Sequence, residues 1–193
     1  MQNSNHLFPV FLKLESLRLL IVGGGYVGME KLEAVINNSP ATTITLVGTH
    51  ISDAIKYLAK QYPNIQLKEK PYDITDLENN DIVIAAINDA AISSRVVQDA
   101  KSKKILVNAA DNPELCDFYL SSVVQKGNLK IAISTNGKSP TIAKRVKEVL
   151  NETFPDEIDM LLTNMQNIRN KMSGDFTEKV KQLNELTKTL SQK

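Results

Sequence analysis

The chain has 193 residues, a formal net charge of +1, and 42% hydrophobic and 23% charged residues. This is the composition of a globular protein with a core of its own, one domain or one with a small appendage. A charge so close to zero excludes an acidic tail protein and wholesale nucleic-acid binding, and no apolar run reaches the roughly 20 residues that span a bilayer.

The opening, residues 1–16, has no basic region, long apolar core or small-residue cleavage site, so no secretory signal is expected. The single cysteine, Cys116, excludes an internal disulfide. With only His6 and His50 beside it, there is no ligand cluster of zinc-site spacing. A soluble cytoplasmic protein is expected.

Residues 17–22 are a short apolar strand that runs into Gly23-Gly24-Gly25-Tyr26-Val27-Gly28. This is G-x-G-x-x-G at the seam between a strand and a helix, the context in which the motif binds a dinucleotide. Gly23 can make the tight turn, Gly25 leaves the backbone open to a pyrophosphate, and Gly28 lets the helix lie close to the strand. The helix N-terminus adds unpaired N–H groups and the positive end of its dipole.

A helix over 29–38 stops at Asn38-Ser39-Pro40. Residues 43–47 (TITLV) form a β-branched strand, and 51–60 a helix with Ile51, Ile55, Leu58 and Ala59 at helical spacing. A short strand at 65–67, a buried strand at 81–86, a helix at 90–102 and a strand at 104–108 follow. Strands separated by helices imply a parallel sheet with right-handed crossovers, a Rossmann-like unit over residues 1–112.

Beyond it, 118–124 and 129–134 read as strands joined by Lys126-Gly127-Asn128. In the polar loop after them, Ser139 can N-cap a helix with Pro140 at its first position, running to about Asn151. Pro155 opens another helix, with Ile158, Leu161, Leu162, Met165, Ile168 and Met172 on one face. Asp175 starts a last one, with Phe176, Val180, Leu183, Leu186 and Leu190 as its stripe. These stripes are packing faces, within a subunit or between two.

Asp111 follows the strand 104–108 at the carboxyl edge of the sheet, where open α/β folds bind ligands. A carboxylate there can act as a base; Asp-Asn-Pro is also a turn sequence in its own right. Asn108 either positions a nicotinamide or ends its strand. Asn88-Asp89 is placed to meet the cofactor or to cap the next helix. Cys116, beside Asp117, reads as packing rather than as a nucleophile. At the end of the second strand, Gly48-Thr49-His50 lacks the Asp or Glu that commonly holds ribose hydroxyls, and no Arg marks a 2′-phosphate site. His50 either covers the ribose or adenine or is a surface loop residue.

From Phe118 to Lys147 there is no Asp or Glu, while Lys126, Lys130, Lys138, Lys144, Arg145 and Lys147 give the stretch a charge of +6. Such asymmetry points to an anionic partner, or to a solvated basic face. Lys144 and Lys147 share a helix face and Arg145 points elsewhere, so not all six can be ligands. Few aromatics are interleaved with these cations, which suits nucleic acid poorly.

Residues 104–148, with the glycine loop and the opening LFPVFLKLESLRLLIVGGG, resemble the siroheme-synthase N-terminal family. Its members are precorrin-2 dehydrogenases, some of which are also sirohydrochlorin ferrochelatases. The family pattern has a hydrophobic opening, G-G-G-x-V-A-x-R-K, N-x-x-D after the fifth strand, and I-S-T-x-G-x-S-P before a helix. Here these read Gly23-Gly24-Gly25-Tyr26-Val27-Gly28-Met29-Glu30-Lys31, Asn108-Ala109-Ala110-Asp111 and Ile133-Ser134-Thr135-Asn136-Gly137-Lys138-Ser139-Pro140. The chain departs from the pattern at Gly28 (often Ala), at Glu30 (often Arg) and at Ser121-Ser122, where a Pro-containing pair is usual.

The resemblance implies an α/β architecture of three parts. A NAD-binding Rossmann domain would span 1–112, a strand-helix dimerisation and substrate segment 113–150, and a helical C-terminal domain 151–193. It implies NAD-dependent oxidation of precorrin-2 to sirohydrochlorin in siroheme biosynthesis, with NADP left open. Ferrochelatase is the possible second activity, Fe²⁺ or Co²⁺ its metal substrate, and a homodimer the expected assembly. Some members carry a fused methyltransferase domain, for which 193 residues leave no room. Asp111 would be the catalytic residue. Gly23, Gly24, Gly25, Tyr26, Val27, Gly28, Asn88 and Asn108 would bind the cofactor, and Ser134, Thr135, Lys138, Ser139 and Lys144 the substrate. The competing class is a non-catalytic Rossmann nucleotide-sensing module, which has no use for the Asn108–Asp111 motif or the acid-free basic segment.

Overall fold

Five short strands pair side by side in the first part of the chain, all parallel, in the order β3-β2-β1-β4-β5. They are β1 (Arg18–Val22), β2 (Thr43–Gly48), β3 (Ile65–Glu69), β4 (Ile82–Ala85) and β5 (Leu106–Ala109). The computed structural model describes residues 5–110 and 112–188. Parallel neighbours cannot be joined by a tight turn. The connections here are α1 (Tyr26–Asn38), α2 (Asp53–Ala59), a one-turn 3₁₀ helix at Ile74–Leu77, and α3 (Ala90–Ser102).

The central strand shows why the sheet is covered on both faces. Leu19, Leu20, Ile21 and Val22 alternate between the faces, yet none is more than 2% exposed, the pattern of a buried parallel strand. Leu19 and Ile21 pack with Leu32, Val35 and Ile36 of α1 and Ile55 of α2. Leu20 and Val22 pack with Val96, Val97 and Ala100 of α3 and with Leu77. The 3₁₀ turn that carries Leu77 is closed by a reciprocal cap between Asp73 and Asp76.

Several boundaries differ by a few residues from the sequence pattern. The helix expected over 51–60 is Asp53–Ala59, the strands expected at 65–67, 81–86 and 104–108 are Ile65–Glu69, Ile82–Ala85 and Leu106–Ala109, and the helix opened at Pro155 starts at Ile158. Two further differences have a local cause. The first helix begins at Tyr26, not at residue 29, because Gly25 already stands at its N-cap. The strand expected over 118–124 is observed as β6 (Ser122–Lys126). Phe118 packs instead against the sheet core. Just before it, Asp117 N–H donates to the Val107 carbonyl (2.8 Å), and the Asp117 carboxylate accepts from Val107 N–H (3.0 Å).

The chain divides into two compact units, Leu7–Leu120 and one built mainly of the residues from Ser121 onward. In the second, β6 and β7 (Leu129–Ile133) form an antiparallel hairpin. Helices α4 (Pro140–Thr153), α5 (Ile158–Lys171) and α6 (Phe176–Thr187) follow. The whole is a Rossmann-like parallel sheet, then a small strand pair, then helices, as expected. Leu190, assigned to the last stripe, lies outside the described residues. Among the described residues no helix is long and apolar enough to cross a membrane.

The first turn of α5 holds the hairpin. Asp159 Oδ1 accepts the backbone N–H of Asn128 at 2.7 Å and its side-chain amide at 2.8 Å, and Lys126 pairs with Asp156 at 2.6 Å. The Asn128 backbone N–H, then its side chain, keeps the Asp159 carboxyl below the usual aspartate range. A carboxylate with a lowered native pKa stabilises the fold above its unfolded pKa and loses that contribution as pH falls through the native one. Loosening of the hairpin is therefore expected from about pH 3.9 downward. Asp159→Asn should remove this pH dependence, which hydrogen exchange at Asn128 would read.

Candidate functional site

A cleft of about 500 Å³ opens at the carboxyl ends of β1, β2 and β4. The strand order reverses at β1, the place where open α/β sheets bind ligands. Its lining is Val22–Val27, Val47–His50, Pro71, Tyr72, Ala86–Asn88, Ile92 and Arg95. The structure thus brings Gly23, Gly24, Gly25, Tyr26, Val27 and Asn88 together. Gly28 lies one turn into α1 and is buried, as helix packing demands.

The glycine turn is shaped by contact with backbone. Gly23 has φ +127°, and its N–H donates to the Val47 carbonyl at 2.8 Å. A Cβ on it would lie 2.1 Å from the Ala86 carbonyl oxygen. A Cβ on Gly25 would meet nothing within 4 Å. That open space lies at the N-cap of α1, which no side chain caps, so the helix's first N–H groups face it without an intrahelical partner. Bare backbone, free donors and a positive dipole end fit a pyrophosphate.

Tyr72 after β3 and Arg95 on α3 are polar cleft residues that carry no sequence motif. The Tyr72 hydroxyl donates to Asp99 Oδ2 at 3.2 Å, and Asp99 sits 3.8 Å from Arg95 Nε. Burial first, then the Asp99 charge, pushes the Tyr72 phenol above its usual pKa, so it stays a neutral donor. His50 is on the cleft wall, and no carboxylate lines it among the described residues.

Other candidates are placed elsewhere. Asn108 is 6% exposed at the end of β5 and does not line the cleft; its amide donates to the Phe118 carbonyl at 2.8 Å. Asp89 caps α3, accepting from Ala91 and Ile92 N–H at 2.9 and 3.1 Å. Cys116 sulfur accepts from Ala109 N–H and donates to its carbonyl, both at 3.2 Å, and burial pushes the thiol pKa up, the setting of a packed cysteine. Asp111 lies outside the described residues.

In the second unit the loop before α4 is held by its own hydroxyls. Thr135 Oγ1 accepts Ser139 N–H at 3.2 Å, Ser134 Oγ accepts Asn136 N–H at 3.2 Å, and Ser139 Oγ caps α4 at Ile142 N–H. Of the six cations, Lys126 is paired with Asp156 and Arg145 with Glu148. Lys138, Lys144 and Lys147 have no ion pair among the described residues.

The profile of a family described as putative NAD(P)-binding matches residues 10–122, and that of the sirohaem biosynthesis protein central region matches 126–152. The chain belongs to this NAD(P)-binding family. Its cofactor is NAD or NADP, and the glycine cleft lies within the matched residues. A siroheme synthase from Methylococcus capsulatus is 32% identical over 174 residues, 90% of this chain and 34% of the relative. The siroheme biosynthesis protein met8 of Schizosaccharomyces pombe is 29% identical over 161 residues, 83% of this chain and 61% of that one. The chain spans about a third of the length of the siroheme synthases it matches. Among solved structures, SirC, a precorrin-2 dehydrogenase, superposes with a TM-score of 0.73 at 25% identity, over 93% of this chain and 89% of that one. The likeness to the siroheme-synthase N-terminal family, read from three short motifs, extends over most of the chain.

Proposed function

We propose that the protein is an NAD-dependent precorrin-2 dehydrogenase, oxidising precorrin-2 to sirohydrochlorin in siroheme biosynthesis. One observation carries this reading: the likeness to SirC spans nearly the whole of both chains, the glycine cleft and the later strand-helix segment alike. When bound, the dinucleotide supplies the hydride acceptor. Gly23, Gly24, Gly25 and the start of α1 hold its pyrophosphate, with Tyr26 and Val27 at the rim. Asn88 is the cleft's side-chain amide. Asp111 accepts a proton from the macrocycle.

The substrate is a polycarboxylate, and the acid-free segment matches its charge. Lys138 and Lys144 are the carboxylate ligands this reading favours; like Lys147, neither has an acidic partner among the described residues. Ser134, Thr135 and Ser139 shape the loop that presents them. Residues 1–112 would then serve the cofactor, 113–150 the substrate and dimerisation, and 151–193 form a helical domain. A single free thiol suits the reducing cytoplasm.

Chelation of Fe²⁺ or Co²⁺ by the same protein is the second activity proposed. The macrocycle supplies the metal's ligands, so the protein needs only a proton acceptor. The deciding experiment is absorbance-monitored turnover of precorrin-2 with NAD⁺ or NADP⁺, followed by addition of Fe²⁺ or Co²⁺. Dinucleotide binding without oxidation would favour the nucleotide-sensing module instead.

A homodimer built beyond residue 112 is also proposed. Ile142, Val146 and Val149 leave an apolar stripe on α4 that is 55, 38 and 60% exposed, more than a short helical tail can cover by itself. Light scattering at micromolar concentration should return twice the chain mass, and a monomer would count against it.

A further inference from the structure

We propose that Glu69, at the carboxyl end of β3 and outside the cleft lining, is a positioning residue of the dinucleotide site. Its carboxylate fixes the loop between β2 and α2 on which the glycine turn rests.

The register of the sheet pairs Glu69 with Gly48, the last residue of β2. From there Glu69 Oε1 reaches forward to accept the N–H of Ile51 at 3.0 Å. Lys56 of α2 holds the carboxylate from the other side at 2.9 Å, and His50 Nδ1 stands 3.8 Å away. The Ile51 N–H, then Lys56, keeps this carboxyl below the usual glutamate range, so it is ionised at neutral pH.

The same loop meets the glycine turn through backbone alone. Ser52 N–H donates to the Gly24 carbonyl at 2.9 Å. A Cβ on Gly24 would lie 2.2 Å from the His50 carbonyl oxygen and 2.9 Å from Ile51 Cα. With the two backbones in direct contact, a shift of residues 50–52 is passed to Gly24. Between the His50 carbonyl and the Ser52 N–H lies one further donor, Ile51 N–H, and that is the group Glu69 holds.

Glu69 does not take the place of the ribose-binding acid missing at the end of β2. A carboxylate one strand over is present, but its oxygens are engaged by Ile51 and Lys56, and it does not line the cleft. It therefore acts on the part of the ligand that the glycine turn holds, the pyrophosphate, which NAD and NADP share.

The test is calorimetric titration of NAD⁺ and NADP⁺ into the full chain and its Glu69→Ala, Glu69→Asp and Glu69→Gln variants. Asp keeps the charge but is one methylene short of Ile51 N–H, whereas Gln reaches it without charge. Ala and Asp should weaken both dinucleotides by the same factor, roughly tenfold, the worth of one charge-assisted hydrogen bond. Gln should stay within about threefold of wild type, since a neutral acceptor keeps about half the strength of the charge-assisted bond. The side chain is 43% exposed, so Asp and Gln will fold, and their contrast decides even if Ala does not. A change in the NAD-to-NADP preference would overturn the proposal in favour of direct ribose contact. So would affinities unchanged in all variants, or a wild-type Asp beside a weak Gln. A wild-type protein that binds neither dinucleotide would overturn the cleft assignment and the role of Glu69 with it.

Discussion

Gly25→Asp is expected to abolish dinucleotide binding and leave the protein folded. The substitution is benign to the fold. Gly25 has φ −91° in extended backbone, and a Cβ there meets nothing within 4 Å. Asp is moreover among the best N-cap residues, so α1 should hold or gain stability. What changes is the mouth of the cleft. The new carboxylate caps the N–H groups left open to a phosphate and sets a negative charge beside it. Two unit charges about 4 Å apart near a protein surface repel by about 4 kcal/mol, roughly a thousandfold in affinity. Calorimetry with millimolar NAD⁺ should give no binding heat, alongside an unchanged or raised melting temperature. Retained affinity would remove the glycine turn from the site. The neighbouring glycine makes the control: at Gly24 any side chain would run into the His50 carbonyl, 2.2 Å from its Cβ, so a substitution there tests folding as much as binding.

The contrast between these glycines marks what sequence could and could not show. The parallel sheet was legible because buried strands are short apolar runs, and LRLLIV, TITLV and DIVIAA are such runs. The turn after β1 was legible because three glycines at fixed spacing have few other uses. The 3₁₀ turn at Ile74–Leu77 was not, being too short to show a period. Tyr72 and Arg95 reach the cleft only because the strand order brings the end of β3 and the start of α3 to the ends of β1 and β2. Glu69 meets the β2–α2 loop for the same reason, through the register of β3 against β2.

Charge was legible as a sum and not as pairs. The acid-free window ends at Lys147, and the acids that neutralise Lys126 and Arg145 lie just beyond it, at Asp156 and Glu148. Asn108 shows a similar limit. Its position at the end of a strand suggested either a cofactor contact or a strand end, and only the fold reveals its amide on the Phe118 carbonyl.

Asp111→Ala is expected to leave NAD binding nearly intact and to lower dehydrogenation by ~10²-fold or more, if Asp111 is the general base. Asp111 lies outside the described residues, so the expectation rests on its place in the chain, two residues after β5, and on the N-x-x-D motif. In the proposed site the glycine turn would hold the pyrophosphate without it, which is why affinity and turnover should part. Calorimetry with NAD⁺ and absorbance-monitored oxidation of precorrin-2 measure the two separately. If the protein also inserts metal, chelation should fall with oxidation, since both reactions remove protons from the same macrocycle. Asp111→Asn sharpens the test. It keeps the size and the turn-forming capacity of Asp before Asn112-Pro113 but cannot accept a proton. It should be nearly as inactive as the Ala variant. Near-normal turnover in the Asn variant, with poor folding of the Ala variant, would mean that Asp111 only shapes the Asp-Asn-Pro turn. The base would then have to come from another group at the carboxyl edge of the sheet.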